Sequence, residues 1–219
     1  MHRPIENLRD PDLEARAAAL YSNTLPYHNF DHIQETLAAA TIIAERCQTE
    51  HIRLDTKVVY YALLFHDAGY QDDHKSLGFA TKEAYSAKLA DDVLTEFAVP
   101  SAVIRKTIAA ILATERDGNF ISAEQKAVRA ADLSGMAADY PEFLTKSLRL
   151  KREFEIINGK AIHWRGWQEN SSEVLGFYLA QDIRLTSYFH NESGESEFHT
   201  ALRENIRRLL AEVSEPQLD

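Results

Sequence analysis

Helix breakers are rare in this chain, and several of them fall between segments that are rich in strong helix formers. The 219 residues include 8 glycines and 6 prolines, while alanine, leucine, glutamate and isoleucine recur throughout. Such a composition favours helices over a turn-rich β architecture. No segment alternates apolar and polar residues over more than a few positions. The sequence therefore predicts an all-α fold, with a single domain over residues 1–219 and about nine helices.

The positions of capping and breaking residues set the predicted helix boundaries. Asp10 and Asp55 precede helical patterns as candidate N-caps, Ser122 with Gln125 reads as a capping box, and Gly69 ends the third helix. Polar connections are expected at 70–76 and 190–196. The predicted helices cover about residues 11–21, 29–47, 55–67, 77–97, 100–111, 123–133, 141–157, 170–189 and 196–213.

Charge, cysteine content and hydropathy exclude several classes of function. The net charge of −10 argues against a nucleic-acid-binding face, although a bound cation can still attract a small anionic substrate. Cys47 is the only cysteine, which fits a reducing compartment. The polar start over residues 1–6 is unlike a signal peptide, and no apolar run reaches the ~18 residues of a membrane span. We therefore expect a cytoplasmic protein that does not enter a membrane.

Three separate segments carry the side chains that a divalent cation binds. His28 and His32 are four residues apart, His66 and Asp67 are adjacent at the end of an apolar helix, and Asp132 stands alone in apolar helix. Imidazole nitrogens and carboxylate oxygens suit Mn, Fe, Co, Ni or Zn, and Mg is a further candidate. Each residue taken alone could equally be a structural residue of the core or of a helix end. If the segments meet in space, the sequence predicts a metal site.

This arrangement resembles the HD superfamily of metal-dependent phosphohydrolases, in which a histidine is followed by a His-Asp pair and a distant aspartate. The segment from Tyr27 to His32 also resembles the Tyr-His-Asn-x-x-His element of cyclic-nucleotide phosphodiesterases, which belong to the same superfamily. A bacterial group of HD phosphohydrolases is similar over about residues 11–211. The matching elements are Phe65-His66-Asp67-Ala68-Gly69-Tyr70, Glu83 with Ser86-Ala87, Ile111 with Thr114, Ile183 with Thr186 and Phe189, and Ala201 to Ile206.

The resemblance implies a role for each residue of the motif. His32, His66, Asp67 and Asp132 would bind one divalent metal ion, which would activate a water molecule as the nucleophile. Asp67 would orient that water, and His28 would donate a proton to the leaving oxygen. The implied substrate is a small phosphomonoester or phosphodiester of nucleotide-like character. Nearby polar residues that could contact it are Lys75, Lys82 and Glu83.

The chain departs from the HD pattern where many members hold a second metal. His74 is the only histidine between Asp67 and Asp132, and Glu115-Arg116-Asp117 follows Thr114, where a further histidine is expected. Two alternatives therefore stay open beside the hydrolase. One is a nucleotide-binding or regulatory module of HD fold with little turnover. The other is a metal-dependent oxygenase, which the small number of ligands disfavours.

Overall fold

The described part of the chain consists of α-helices joined by short connections. The computed structural model describes residues 4–190 and 195–217, and within them it contains nine α-helices and no strand. This confirms the all-α prediction. Short 3₁₀ helices lie at Ile5–Leu8 and Leu133–Ala137. The helices are α1 Pro11–Ala18, α2 Phe30–Thr49, α3 Thr56–Phe65, α4 Lys82–Glu96, α5 Ser101–Leu112, α6 Ala123–Asp132, α7 Tyr140–Asn158, α8 Trp164–Leu179 and α9 Glu197–Ala211.

Contacts within the chain divide it into two compact units. The first comprises Met1–Thr24 and His28–Asp132, and the second comprises Leu25–Tyr27 and Leu133–Asp219, each represented by its described residues. The assignment of a single domain over residues 1–219 stays a prediction. No helix in the described ranges combines the length and the apolar character that crossing a membrane requires.

Helix α3 forms the centre of the first unit. Seven of its ten residues are fully buried apolar residues, so it is apolar on every side. A helix of this kind must be surrounded by other helices, and α3 packs against α1, α2, α4, α5 and α6. The C-terminal end of α3 therefore lies among the other helices, and the residues that follow it are held inside the unit.

The second unit is built on α7, α8 and α9. Helix α9 packs against both α7 and α8. Two tryptophans at the start of α8 donate hydrogen bonds from their indole nitrogens to other parts of this unit. Trp167 donates to the Ser147 hydroxyl at 3.0 Å. Trp164 donates to the Glu212 carbonyl at 3.3 Å. Buried Gln168 donates to the Leu209 carbonyl at 2.6 Å. These contacts fix the helix ends of the unit.

Two predicted helices differ from the observed ones. Helix α4 begins at Lys82 rather than at residue 77, because Gly78 has a φ of 88° and the Thr81 hydroxyl caps the helix by accepting from the Ala84 amide at 3.1 Å. Helix α8 covers Trp164–Leu179 rather than 170–189, because the His163 ring caps its start, and Arg184 has a left-handed φ of 47° beyond its end. Within the predicted connection at 190–196, residues 191–194 lie outside the described residues, as do 1–3 of the polar start.

Candidate metal centre

Helix capping at the start of α2 places His32. The Asn29 side chain is the N-cap and accepts hydrogen bonds from the Asp31 and His32 amides at 2.9 and 3.3 Å. An N-cap of this type satisfies the first free amides of a helix. His32 therefore lies in the first turn of α2, where its side chain is only 5% exposed. His28 lies just before the cap, as the sequence predicts.

A tight turn after α3 places His66 and Asp67 on the same side of the unit. The Ala68 amide donates to the Phe65 carbonyl at 3.0 Å, and Gly69 follows in a left-handed conformation with φ of 71°. The Gly69 amide then donates to the Leu20 carbonyl at 3.0 Å, which ties the turn to the segment after α1. Adjacent residues of a regular helix point about 100° apart. Because the helix ends here, the two side chains converge.

The phenol of Tyr21 lies beneath this turn. Its hydroxyl donates to the Leu64 carbonyl at 2.9 Å, and the residue is buried. Burial, and then the nearby Asp67 carboxylate, raise the pKa of Tyr21 well above its ordinary value. The phenol therefore stays protonated and remains a hydrogen-bond donor. No local sequence signal marks Tyr21, because its role depends on where the segment after α1 crosses α3.

Asp132 is the last residue of α6, which packs against α2 and α3. One turn earlier on the same helix, Arg129 is 1% exposed and donates to the Thr114 carbonyl at 3.0 Å and to the Glu115 carbonyl. These carbonyls follow the C-terminal end of α5, where a cation is electrostatically favoured. The buried guanidinium thus joins α6 to α5 and fixes the position of Asp132.

The four predicted ligands meet in the first unit. The Nε2 atom of His66 lies 3.1 Å from Asp67 Oδ2 and 3.4 Å from Asp132 Oδ1. The Nε2 atom of His32 lies 3.6 Å and 3.7 Å from the same two oxygens. One ligand atom from each residue falls within 4.8 Å of all the others. These four side chains, called the His–Asp cluster below, could hold a metal ion.

The tautomer of His66 directs a lone pair into the His–Asp cluster. Its Nδ1 lies 2.9 Å from the Leu63 carbonyl oxygen, and because that oxygen can only accept, Nδ1 carries the proton. In the neutral ring Nε2 is then an acceptor. It is buried, and among the described residues no hydrogen bond of good geometry reaches it. Its closest polar neighbours are carboxylate oxygens, which also carry lone pairs, so the arrangement requires a cation or a proton between them.

In the metal-free protein, a proton on His66 meets this requirement. Burial alone would lower the pKa of His66, but the Asp67 and Asp132 carboxylates outweigh it and raise that pKa well above the usual value. Burial alone would raise the pKa of both aspartates. Their histidine partners outweigh it, lowering the pKa of Asp67 to about 2 and that of Asp132 still further below its ordinary value. The site therefore has a strong affinity for positive charge.

The spacing of the donors fits one transition-metal ion. Metal–nitrogen and metal–oxygen bonds to Zn²⁺ are about 2.0–2.2 Å, which places neighbouring ligand atoms of a tetrahedral site about 3.3–3.6 Å apart. The four nitrogen–oxygen distances in the His–Asp cluster, from 3.1 to 3.7 Å, span this range. Two nitrogens and two carboxylate oxygens also match the chemistry of Mn, Fe, Co, Ni and Zn. The residues present therefore fit the ion that the sequence predicts.

His28 lies beside the His–Asp cluster without joining it. Its ring contacts the edge of the His32 ring with centroids 6.0 Å apart, and it stacks on the Tyr70 ring with centroids 3.7 Å apart and planes at 9°. Its electrostatic interaction with Asp67 also contributes to the low pKa of that carboxyl. His28 is thus next to the two residues with which it would cooperate, and Tyr70 is a neighbour whose importance the sequence did not show.

The three predicted substrate-binding residues occupy different surroundings. The Lys82 ammonium lies over the Tyr70 ring, 3.3 Å from its centroid. Lys75 is exposed in the connection before α4, and Glu83 is half-buried in the first turn of that helix. No hydrogen bond or ion pair within the described ranges joins the side chain of Lys75 or Glu83 to the His–Asp cluster. A role in substrate binding stays a prediction for all three.

Comparison with protein families and with curated proteins gives no relative for this chain. No protein-family model matches it, and no curated protein matches it significantly in sequence. The residues of the site and their geometry are therefore the basis for inferring a function.

Proposed function

We propose that the protein is a metal-dependent phosphohydrolase of the HD type, which cleaves a phosphomonoester or phosphodiester of a small nucleotide-like molecule. The single observation that carries this proposal is the convergence of His32, His66, Asp67 and Asp132, from three separate segments, on one point. The order of these residues along the chain is the order that the HD resemblance assigns to metal ligands. A bound divalent ion would supply an acidified water molecule and would polarise a phosphoryl oxygen.

The exposure of the four side chains indicates where a substrate would approach. His32 and His66 are 5% and 1% exposed, whereas Asp67 and Asp132 are 18% and 22% exposed. The histidines therefore form the closed base of the site, and the carboxylates form its open edge. A phosphate ester would reach the site over the two aspartates. Two anionic carboxylates alone would repel an anionic phosphate ester. Binding such a substrate here therefore requires a cation between the carboxylates.

Asp67 is suited to hold and orient a water molecule. The pKa of this carboxyl, lowered to about 2, keeps it ionised throughout the physiological range, so that it accepts hydrogen bonds and does not donate them. Its Oδ2 faces both cluster histidines. On this proposal, the other carboxylate oxygen accepts a hydrogen bond from the attacking water and thereby directs a lone pair of the water oxygen towards phosphorus.

His28 is the proposed proton donor to the leaving oxygen. Imidazole titrates near neutral pH and suits proton transfer. The ring is close enough to interact electrostatically with Asp67. It lies outside the group of four ligand residues, and it can therefore protonate an oxygen that departs from the open side. General acid catalysis of this kind contributes on the order of 10²–10⁴-fold to the rate.

Metal reconstitution combined with a substrate panel tests the proposal. Protein stripped with a chelator is reloaded with Mn²⁺, Co²⁺, Ni²⁺ or Mg²⁺ and assayed on phosphomonoesters, phosphodiesters and nucleotides. We expect hydrolysis of at least one class, abolished in Asp67→Ala, while circular dichroism keeps the helical signal. Asp73→Ala is the matched control, because Asp73 is exposed in the connection before α4. If the loaded protein binds a nucleotide but hydrolyses no ester, it is a binding module instead.

A further inference from the structure

Three side chains form a stack next to the His–Asp cluster. The Tyr70 ring is parallel to the His28 ring at 3.7 Å, with an interplanar angle of 9°. The Lys82 ammonium lies 3.3 Å from the centroid of the same ring. One face of an aromatic ring cannot hold an imidazole and an ammonium at these two distances together. His28 and Lys82 therefore occupy opposite faces, and both faces of Tyr70 are filled.

Each member of the stack comes from a different segment. His28 immediately precedes the N-cap of α2, and Lys82 is the first residue of α4. Tyr70 directly follows Gly69, and its amide donates to the Asp67 carbonyl at 3.2 Å. Tyr70 is thus bound by its backbone to the turn that carries two predicted ligands. Its ring extends from that turn to His28, so the imidazole is held relative to the same turn.

His28 needs such a support because it lies in no helix. It falls between α1 and α2, before the first helical residue Phe30. A side chain in a connecting segment samples several rotamers unless packing restricts it. Parallel aromatic rings attract each other, and a cation over the opposite face adds a second attraction that holds the central ring. Proton transfer requires the donor within hydrogen-bond reach of the accepting atom, so its orientation affects the rate.

We propose that Tyr70 is a positioning residue, which holds the His28 imidazole in the orientation for proton transfer while Lys82 holds the Tyr70 ring from its other face. This inference rests on the proposed function. As the phosphorus–oxygen bond breaks, a protonated ring nitrogen of His28 gives its proton to the departing oxygen, and the neutral imidazole regains a proton from solvent. Tyr70 touches neither the substrate nor the reacting atoms in this step.

Leaving groups of different basicity separate this role from a structural one. The probes are phenyl phosphate and p-nitrophenyl phosphate, assayed with the Mn²⁺-loaded protein. Phenolate, with a pKa of about 10 like tyrosine, needs a proton to depart, whereas p-nitrophenolate is a much weaker base. We expect Tyr70→Leu to lower kcat for phenyl phosphate by about 10–100-fold, within the range of general acid catalysis. The loss for p-nitrophenyl phosphate should be several-fold smaller, with KM little changed for both esters.

Further variants test whether the stack causes the selective loss of kcat for phenyl phosphate. Tyr70→Phe keeps the ring and should retain most of the activity. In a double-mutant cycle, Tyr70→Leu should cost little more once His28→Ala has removed the proton donor, because coupled residues are non-additive. Tyr61→Leu is the matched control: Tyr61 is a half-buried tyrosine of the same unit that packs on Tyr60 at 5.4 Å. Tyr61→Leu should leave the ratio of the kcat values for phenyl phosphate and p-nitrophenyl phosphate unchanged.

A spectroscopic readout follows the imidazole directly. In the Zn²⁺-loaded protein, the proton NMR signals of the His28 ring, identified by their loss in His28→Ala, should be shifted upfield by the Tyr70 ring. They should stay there in Tyr70→Phe and move downfield in Tyr70→Leu. If Tyr70→Leu does not fold or bind metal, Tyr70→Met replaces it, because methionine fills irregular space without a ring.

The outcomes distinguish this inference from the proposed function. If the wild-type protein hydrolyses no ester, the proposed function fails and the inference fails with it. If the wild type is active but Tyr70→Leu slows both esters equally, adds fully to His28→Ala, or leaves the His28 signals in place, the inference alone is overturned. A selective loss for phenyl phosphate, together with the NMR shift, supports both.

Discussion

The Nε2 atom of His66 lies 3.4 Å from the Oδ1 atom of Asp132, although the two residues belong to different helical segments, at the end of α3 and at the end of α6. Because His66 Nδ1 is directed at the Leu63 carbonyl at 2.9 Å, this contact brings two lone pairs together unless positive charge separates them. The same contact makes the stability of the metal-free protein dependent on pH.

The metal-free protein should lose stability as pH rises above about 6.5. The pKa of His66 is raised in the folded state, so the folded protein keeps a proton that the unfolded chain has already lost. This stabilisation is complete below the pKa of the unfolded chain, about 6.5, and disappears as pH rises through the pKa of the folded protein. Between these two pKa values, the free energy of unfolding falls by about 1.4 kcal/mol for each pH unit. Denaturant unfolding of chelator-treated protein from pH 6 to 10 measures it.

Two comparisons identify His66 as the source. The fall in unfolding free energy with rising pH should disappear in His66→Gln. It should persist in His74→Gln, since His74 lies in the polar connection outside the His–Asp cluster. At acid pH the relevant group is Asp67. Because the pKa of its carboxyl is lowered in the folded state, it stabilises the fold above about pH 3.9, and this stability is lost as pH falls towards 2. Stability that stays constant from pH 6.5 upwards in the metal-free wild type would contradict the assigned surroundings of His66.

Removing the Tyr21 hydroxyl should weaken both the fold and metal binding. Tyr21→Phe leaves the buried Leu64 carbonyl without the donor that lies 2.9 Å away, which costs about 1–3 kcal/mol. Because this bond supports the turn that carries His66 and Asp67, metal affinity should fall by about 10-fold, as it does when residues that support ligands are lost. Urea unfolding and metal titration by calorimetry measure the two effects.

Tyr60→Phe is the matched control for this prediction. The Tyr60 hydroxyl is also held by polar partners, the Glu14 carboxylate at 2.9 Å and the Asp10 amide at 3.2 Å, but these partners belong to the start of α1 and not to the turn after α3. A comparable loss of stability with unchanged metal affinity is expected. An equal loss of affinity in both variants would show that metal binding follows general stability and not the turn.

Replacing Gly69 by alanine should destabilise the turn through a collision. Gly69 has a φ of 71°, and a Cβ there would lie 2.5 Å from Tyr85 Cε1 and 2.9 Å from Leu89 Cδ1. Gly78 has a φ of 88° with nothing within 4 Å of its Cβ position, so Gly78→Ala measures the cost of the left-handed backbone alone, about 1–2 kcal/mol. Gly69→Ala should cost about 1–3 kcal/mol more. Equal unfolding free energies for the two variants would contradict the close packing.

The four residues of the His–Asp cluster could be predicted from the resemblance to the HD pattern, and local helix signals predicted where the segments that carry them begin or end. Asn29 marks the start of α2 and so places His32, Gly69 ends the segment that carries His66 and Asp67, and the Ser122–Gln125 capping box fixes the start of α6. The observed cap bonds between Ser122 and Gln125, at 3.0 and 3.2 Å, confirm the last of these. Local signals of this kind depend only on neighbouring residues.

The contacts that surround the cluster could not be predicted in the same way. The Tyr70 stack depends on α4 beginning at Lys82, which follows from the left-handed Gly78 and the Thr81 cap rather than from the apolar pattern that predicts a start at residue 77. The role of Tyr21 depends on the path of the segment after α1 across α3. Both are tertiary relationships, and a single sequence contains no local signal for them.

The central claim is that His32, His66, Asp67 and Asp132 together bind one divalent ion. The most direct measurement is the metal content and affinity of protein stripped with a chelator and titrated with Mn²⁺ or Zn²⁺, for the wild type, Asp132→Asn and the exposed control Asp117→Asn. We expect one ion per chain in the wild type and in Asp117→Asn, and a loss of affinity of at least ~100-fold in Asp132→Asn, which keeps the shape of the side chain but removes its charge. Stoichiometric binding by Asp132→Asn with wild-type affinity would contradict the account.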